Sequence, residues 1–185
     1  PELEFWMSEF CILGDNDGFR GNGRDLGMET ALFVANVIHA DLTIANASAW
    51  HWWLAVSPYD YKDGLVYIDK NETGGNIYES KLLWALGNFS RFVRPGATRI
   101  SAEYPETSDL KISAFQNKNG ELVTVVLNRG NSGKELKLNL PGSSKTGRIY
   151  ETSEQNDLKY LSEFKIRDEI QIAPRSVTTL VWNQP

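Results

Sequence analysis

Apolar residues gather along the chain in runs whose spacing changes part-way, and that change divides it. The first run, Phe5-Trp6-Met7-Ser8-Glu9-Phe10-Cys11, is short and nearly continuous. A run of this kind reads as a buried strand, closed by the turn-forming cluster Gly14-Asp15-Asn16-Asp17-Gly18. From Gly27 to about Ala47 the apolar positions Met28, Leu32, Ala35, Ile38, Leu42 and Ala45 recur every three or four residues, which predicts a helix with one buried stripe. A second apolar run, Ala49-Trp50-His51-Trp52-Trp53-Leu54-Ala55-Val56, predicts another strand. The polar stretch from Tyr59 to Gly75 holds only the short run Leu65-Val66-Tyr67-Ile68. A second amphipathic helix is predicted from about Tyr78, with Leu82, Leu86, Phe89 and Val93 on one face and Arg94-Pro95-Gly96 as its stop. Residues 5–93 therefore read strand, helix, strand, helix.

From Ala97 onward the period becomes two. Leu136, Leu138 and Leu140 alternate with Lys137 and Asn139, and Ile170 and Ile172 flank Gln171. Val123-Thr124-Val125-Val126-Leu127 is largely apolar on both faces, as in a strand covered from two sides. Asn119-Gly120 reads as a hairpin turn, and Pro141-Gly142 and Asn156-Asp157 as further turns. About seven or eight short strands at such intervals predict an antiparallel β-sandwich. The charged run Lys165-Ile166-Arg167-Asp168-Glu169 fits a solvated face.

Composition narrows the classes. A chain of 185 residues suits one domain or two small ones, and 41% hydrophobic with 11% aromatic residues is ample for a packed core. The net charge of −5 argues against nucleic acid as a partner, because phosphate binding needs a basic face. The single cysteine, Cys11, excludes an internal disulfide. No segment reaches the roughly 18 apolar residues of a membrane span. There is neither an initiator Met nor a signal pattern at Pro1, so the sequence reads as the interior and C-terminal end of something longer. Asp15, Asp17 and Gly18 lack the ligand spacing and terminal Glu of a calcium loop and read as a solvated turn. His39 falls beside the helix stripe with no second His or Cys at ligand spacing, so no metal site is expected. Asn-X-Ser/Thr triplets stand at Asn46, Asn71 and Asn88; the first and last lie in or beside inward-packing helices and read as chance.

Two places carry candidate chemistry. Glu9 sits near the C-terminal end of the first strand. In a (β/α)-barrel that end is the catalytic face, so Glu9 is a candidate nucleophile or general base; a glutamate that has simply left the core is the plain alternative. Trp50, Trp52 and Trp53 are too bulky to be routine barrel filling, where branched aliphatics dominate. Sugars offer flat C–H faces that stack on indoles, while their hydroxyls need polar partners, so a carboxylate beside aromatics suggests a carbohydrate site. Some of the rings are expected to plug the barrel floor and helix layer, since alternation puts Trp50 and Trp52 on one face and His51 and Trp53 on the other. The long polar loop at residues 59–75 also reads as functional.

Five ordered blocks carry a resemblance: Trp6-Met7-Ser8-Glu9-Phe10-Cys11, Trp52-Trp53-Leu54-Ala55, Leu86-Gly87-Asn88-Phe89-Ser90-Arg91-Phe92-Val93-Arg94-Pro95-Gly96, Val123-Thr124-Val125-Val126-Leu127-Asn128-Arg129 and Ser176-Val177-Thr178-Thr179-Leu180-Val181-Trp182. In this order the chain resembles family 30 of the glycoside hydrolases, which includes endo-β-1,6-galactanases, xylanases, β-glucosidases and lysosomal glucosylceramidase. The resemblance implies an α+β chain: the last two βα units of a (β/α)8 TIM barrel in residues 1–96, followed by an antiparallel β-sandwich in residues 97–185. A whole barrel takes about 250 residues, far more than precede Pro95.

By the same resemblance Glu9 matches the nucleophile of a retaining hydrolase. The acid/base after the fourth strand has no counterpart here, so the isolated chain is expected to be catalytically silent. Trp52, Tyr59, Trp50 and Tyr61 are the implied substrate-binding residues. No metal or organic cofactor is implied. The implied partners are a carbohydrate substrate and the upstream half of the barrel, together with a strand from before the barrel that the family adds to the sandwich. An extracellular or periplasmic location follows from the family alone. A non-catalytic carbohydrate-binding module, recognised by binding without cleavage, and a purely structural sandwich with vestigial barrel units, recognised by the absence of sugar binding, remain the alternatives.

Overall fold

Burial and pairing sort the predicted runs into elements. The computed structural model describes residues 3–15, 18–105, 107, 109–139, 146–165 and 167–183. The expectations for Asp17, Leu140, the Pro141-Gly142 turn and Ile166 lie outside the described residues. The chain forms two units, Pro1–Leu83 and Trp84–Pro185.

In the first unit, strand β1 (Phe5–Phe10) is followed by helix α1 (Met28–Thr43) and strand β2 (Ala47–Trp52), which pairs parallel to β1. The Asp25 carboxylate accepts from the Gly27 and Thr30 amides (2.8 and 2.7 Å), satisfying donors that the first turn of α1 leaves free. Its buried stripe is Met28, Ala31, Leu32, Val34, Ala35 and Ile38, joined by Thr30 and His39. The helix stops at Thr43, short of the predicted Ala47, because Asn46 takes a left-handed φ of 54° and Ala47 opens β2. Asn46, expected to pack inward, is exposed. Strand β1 is not the buried strand its composition suggests: Phe5 and Trp6 are 43% and 57% exposed. Only one face of the β1–β2 pair is covered.

The predicted loop after β2 contains a sheet of its own. Strands β3 (Val56–Ser57), β4 (Val66–Ile68) and β5 (Ile77–Glu79) pair in the order β3-β4-β5, parallel then antiparallel. The apolar run around Val66 is its central strand, with Tyr67 buried. Because 77–79 is taken by β5, helix α2 begins at Lys81 and not Tyr78, and runs to Ser90. The Ser80 hydroxyl donates to Leu65 O (2.8 Å), tying the helix start to this small sheet.

The second unit holds the rest of α2 and eight strands, β6 (Thr98–Ile100), β7 (Leu110–Gln116), β8 (Glu121–Asn128), β9 (Lys134–Lys137), β10 (Thr146–Thr152), β11 (Lys159–Lys165), β12 (Glu169–Ile172) and β13 (Ser176–Asn183). Six form an antiparallel sheet in the order β11-β10-β13-β8-β7-β6, and β12-β9 form a second, two-stranded sheet. Ile112, Leu122, Val126, Ile149, Leu180 and Trp182 of the large sheet pack with Ile170 and Ile172 of the small one. A cleft of about 650 Å3, lined by Ile100, Tyr104, Leu110, Leu136 and Trp182, runs where the small sheet leaves the large one uncovered. In the β7–β8 hairpin only Gly120, and not Asn119, takes a positive φ (82°). Its amide bonds Asn117 O (2.9 Å) in a four-residue turn.

From Trp84 onward, α2 belongs with the sheet because a buried asparagine is bonded into it. Asn88, fully buried, donates from Nδ2 to Thr179 Oγ1 (2.9 Å) and accepts at Oδ1 from Thr152 Oγ1 (2.6 Å). Thr179 Oγ1 in turn donates to the Asn88 carbonyl (2.8 Å). The helix therefore buries Ala85, Asn88 and Phe89, with Phe92 beyond its end, while Leu86 is only half-buried. The triplet at Asn88 is closed to modification by that burial.

Replacing Asn88 with Ala removes the acceptor of the buried Thr152 hydroxyl and the amide donor to Thr179 Oγ1, which keeps only its bond to the main-chain carbonyl of residue 88. The expected loss is about 2–3 kcal/mol in urea unfolding, whereas an exposed control, Asn71→Ala, stays within about 0.5 kcal/mol of wild type. Asp69 makes a second test. Its carboxylate accepts from the Asn76 amide, Asn76 Nδ2 and Tyr78 Oη (2.8, 2.9 and 3.1 Å), and these bonds, the backbone amide first, hold its pKa below the ordinary value. A depressed carboxylate stabilises above its unfolded pKa and stops doing so as pH falls through its folded value. Amide exchange at Asn76 should therefore lose protection on acidification through that window, and Asp69→Asn should flatten the dependence.

Candidate active site

The C-terminal ends of β1 and β2 lie side by side, with Phe10 opposite Trp52. Register decides what each end presents. Met7 pairs with Trp50 and Phe10 with Trp52, so three steps along β1 match two along β2. The additional residue is a bulge, which shifts the alternation by one. Without it Glu9 would share a face with Met7; with it, Glu9 faces the other way.

The two faces differ in chemistry. On one, Phe10 packs against Trp50 (5.8 Å between ring centroids) and Trp52 (6.1 Å), and the two indoles stack at 6.4 Å and 18°. This is the face covered by α1, because Trp50 Nε1 donates to the helix residue Asp41 at 2.8 Å. On the other, Trp6 meets His51 edge-on at 6.4 Å, and Glu9, one residue before Phe10, is exposed. Trp53, one residue beyond β2, is 48% exposed.

The four aromatics predicted to meet substrate thus separate. Trp52 is at the end of β2 beside β1, but its Nε1 donates to Asp63 O (2.9 Å) and its ring is stacked inward. Trp50 is a half-buried part of the α1 packing. Tyr59 and Tyr61 are 49% and 42% exposed on the loop after β3. That loop reaches the end of β1 directly: Ile12 bridges Lys62, and Asn22 bridges Tyr61. So Glu9, Trp53, Tyr59 and Tyr61 are the exposed members of the group, and Trp50 and Trp52 are the scaffold behind them.

Beneath the rim is a buried layer. Asp63 is 2% exposed, and its Oδ1 has no hydrogen-bond partner among the described residues. Its carbonyl takes both Trp52 Nε1 and the Leu54 amide (2.6 Å), while Trp53 N donates to Phe10 O (2.9 Å). Burial pushes the Cys11 thiol pKa up, and the Glu9 and Asp63 carboxylates add to it, so Cys11 is a poor nucleophile here. Asp15 is exposed, and no group of three or more potential metal ligands occurs among the described residues.

Sequence reasoning missed two participants. Arg24 stands in the loop after β1 yet bonds the loop after β3, and nothing in its sequence neighbourhood announces that. Asp63 lies in the connection between β3 and β4, and nothing in its polar sequence neighbourhood announces that it is buried. Trp53 was set apart from Trp52 by alternation in the sequence but was not among the residues expected to bind substrate.

Both units of the chain resemble known proteins. The model for O-Glycosyl hydrolase family 30 matches residues 1–67, and that for the Glycosyl hydrolase family 30 beta sandwich domain matches residues 96–180. Glucuronoxylanase XynC of Bacillus subtilis is 27% identical over 96% of this chain, which spans 39% of that relative. Lysosomal acid glucosylceramidase of Mus musculus is 24% identical over 76% of the chain and 28% of its own length. Among solved structures, a conserved exported protein from Bacteroides fragilis superposes with a TM-score of 0.80 at 33% identity, covering 96% of this chain and 38% of that one. A GH30 endoxylanase from Clostridium papyrosolvens C71 gives a TM-score of 0.76 at 24% identity, over 98% of this chain and 42% of that one. With both family models in the order of the two units, and with a parallel β1–α1–β2 unit followed by a sandwich-like pair of sheets, the chain belongs to glycoside hydrolase family 30 and corresponds to the C-terminal portion of its members.

Proposed function

We propose that this chain is the C-terminal part of a retaining β-glycoside hydrolase in which Glu9 is the nucleophile. The observation that carries the reading is the position of Glu9, exposed at the C-terminal end of β1 on the face opposite the Trp50–Trp52 stack. On this reading residues 1–96 supply the seventh and eighth βα units of a barrel and residues 97–185 its side domain. The cleft beside β9 is then the place for the strand that precedes the barrel.

The Glu9 carboxylate attacks the anomeric carbon, the bond to the leaving oxygen breaks, and an upstream carboxylic acid protonates that oxygen. The same upstream group, now a base, takes a proton from water, which displaces Glu9 and restores it. The two carboxyl groups must stand about 5–5.5 Å apart across the bond. Carboxylates of this chain near Glu9 do not qualify: Asp63 is buried, and Asp60 accepts the Arg24 amide at 2.8 Å. No metal or organic cofactor is needed.

For the sugar wall, the reading favours Trp53 over Trp52 and Trp50, whose N–H groups are already used, with Tyr59 and Tyr61 at the rim. A relative named for glucuronoxylan and one named for glucosylceramide support a glycosidic substrate without fixing the sugar. An extracellular or periplasmic location is in keeping with the neighbour titled an exported protein. No helix among the described residues is long and apolar enough to cross a membrane.

The chain alone is expected to leave aryl β-glycosides and β-linked polysaccharides uncleaved, and to turn them over once the upstream half is supplied. Glu9→Gln should then lower kcat by about three orders of magnitude or more, with the fold unchanged by circular dichroism. Turnover by the chain alone that vanishes in Glu9→Gln contradicts the missing acid/base; no turnover by the pair contradicts the hydrolase. Trp53→Ala should raise KM by about tenfold, equivalent to about 1.4 kcal/mol. Trp52→Phe, by contrast, should lower the melting temperature more than it alters KM.

A further inference from the structure

We propose that Arg24 is a positioning residue: it locks the loop after β1 to the loop after β3, so that the aromatic rim carrying Tyr59 and Tyr61 is preformed before any glycan arrives. The proposal rests on the hydrolase reading for what the rim binds, and on bonds within the first unit for how the rim is held.

Arg24 reaches main chain and not side-chain charge. Its Nε donates to Tyr59 O (2.9 Å), and one terminal nitrogen donates to both Pro58 O (3.2 Å) and Ile68 O (3.1 Å). The start of the loop, residues 58–59, and the last residue of β4, Ile68, are thereby held by one planar group. The guanidinium carbon also lies 5.2 Å from the centroid of the Tyr67 ring. Tyr67 Oη donates to Tyr61 O at 2.8 Å, so the second rim tyrosine is held through the ring on which Arg24 rests.

The fastening is reciprocal. Asp60 accepts the Arg24 amide at Oδ1 and the Gly23 amide at its carbonyl (both 2.8 Å), and Lys62 Nζ donates to Asn22 O and Gly23 O (2.8 and 3.1 Å). Bonds therefore run from each loop into the backbone of the other. A loop held by its carbonyls leaves its side chains on the outside: Tyr59 and Tyr61 are exposed, with Lys70 Nζ 5.0 Å from the Tyr59 ring centroid as a contact that a ligand would displace or share. Preformed binding groups spare the ordering cost that a mobile loop incurs on association.

Lysine cannot substitute. Its single ammonium has no fork with which to span carbonyls at residues 59 and 68, and it does not stack as a plane. Loss of the fork should free the segment around Tyr59 while leaving Glu9 and its strand in place. The consequence belongs in ground-state binding and not in the chemical step.

The experiment compares wild type, Arg24→Lys and Arg24→Met in the chain combined with the upstream half of the barrel, using β-1,4-xylan as the glycan probe. Amide exchange is followed at residues 58–62 and in α1. The expected result is a rise in KM of about tenfold with kcat within about threefold of wild type, together with faster exchange at 58–62 and unchanged exchange in α1. Faster exchange with an unchanged KM makes Arg24 merely structural and overturns the proposal, as does unchanged exchange. A fall in kcat at constant KM also overturns it, since that places Arg24 in the chemistry. If the wild type neither binds nor cleaves xylan or other β-linked glycans, the hydrolase reading fails, and the exchange data alone still decide whether Arg24 holds the loop.

Discussion

One additional residue in β1, taken up between Met7 and Phe10, determines what the end of the β1–β2 pair can do. Side chains on a strand alternate, so a one-residue slip exchanges the faces of everything beyond it. Here it separates Glu9 from the apolar layer of Met7, Phe10, Trp50 and Trp52. A carboxylate directed into that layer would have to shed its hydration beside α1; directed to the open face, it stays hydrated and accessible. The same slip lets Phe10 fill the place opposite Trp52, closing the stack behind the site.

The rim above this strand end is assembled mostly from main-chain acceptors. Carbonyls at Pro58, Tyr59, Tyr61, Asp63 and Ile68 each take a side-chain donor, from Arg24, Trp52 or Tyr67. Irregular backbone cannot satisfy itself as helices and ladders do, so a loop that is to be ordered needs such outside donors. The short β3-β4-β5 sheet supplies the remaining order, and what looks in sequence like one polar loop is a small folded layer. This arrangement holds the loop firmly and leaves its tyrosine rings outside.

In the second unit, order depends on a different kind of polar contact. Asn88 is fully buried, and its amide group is satisfied by Thr152 and Thr179 from adjacent strands β10 and β13. Leu158 N donates to the same Thr152 hydroxyl at 3.2 Å, extending the network into the β10–β11 turn. A buried polar network is costly if incomplete and specific if complete. It fixes the rotation of α2 on the sheet in a way that apolar contacts of Ala85, Phe89 and Phe92 would not do alone.

The sequence by itself determined the order of β1, α1, β2 and α2, though not the β3-β4-β5 sheet between the last two, the change from helical to alternating period near Ala97, the family resemblance and the candidacy of Glu9. These are local properties: periodicity, turn chemistry and residue type are written in neighbouring positions. It also separated Trp52 from Trp53 by alternation alone. What it could not decide was which of those faces is open, because that depends on where α1 packs, or which face Glu9 takes, because that depends on a bulge in β1 and a bulge is defined by the partner strand. The roles of Arg24 and Asn88 were likewise decided only by tertiary structure. Arg24 bonds residues 35 and 44 positions away, and Asn88 bonds Thr179 across 91. Read locally, one is a loop cation and the other a polar interruption of a helix stripe; only chain folding brings their acceptors within reach.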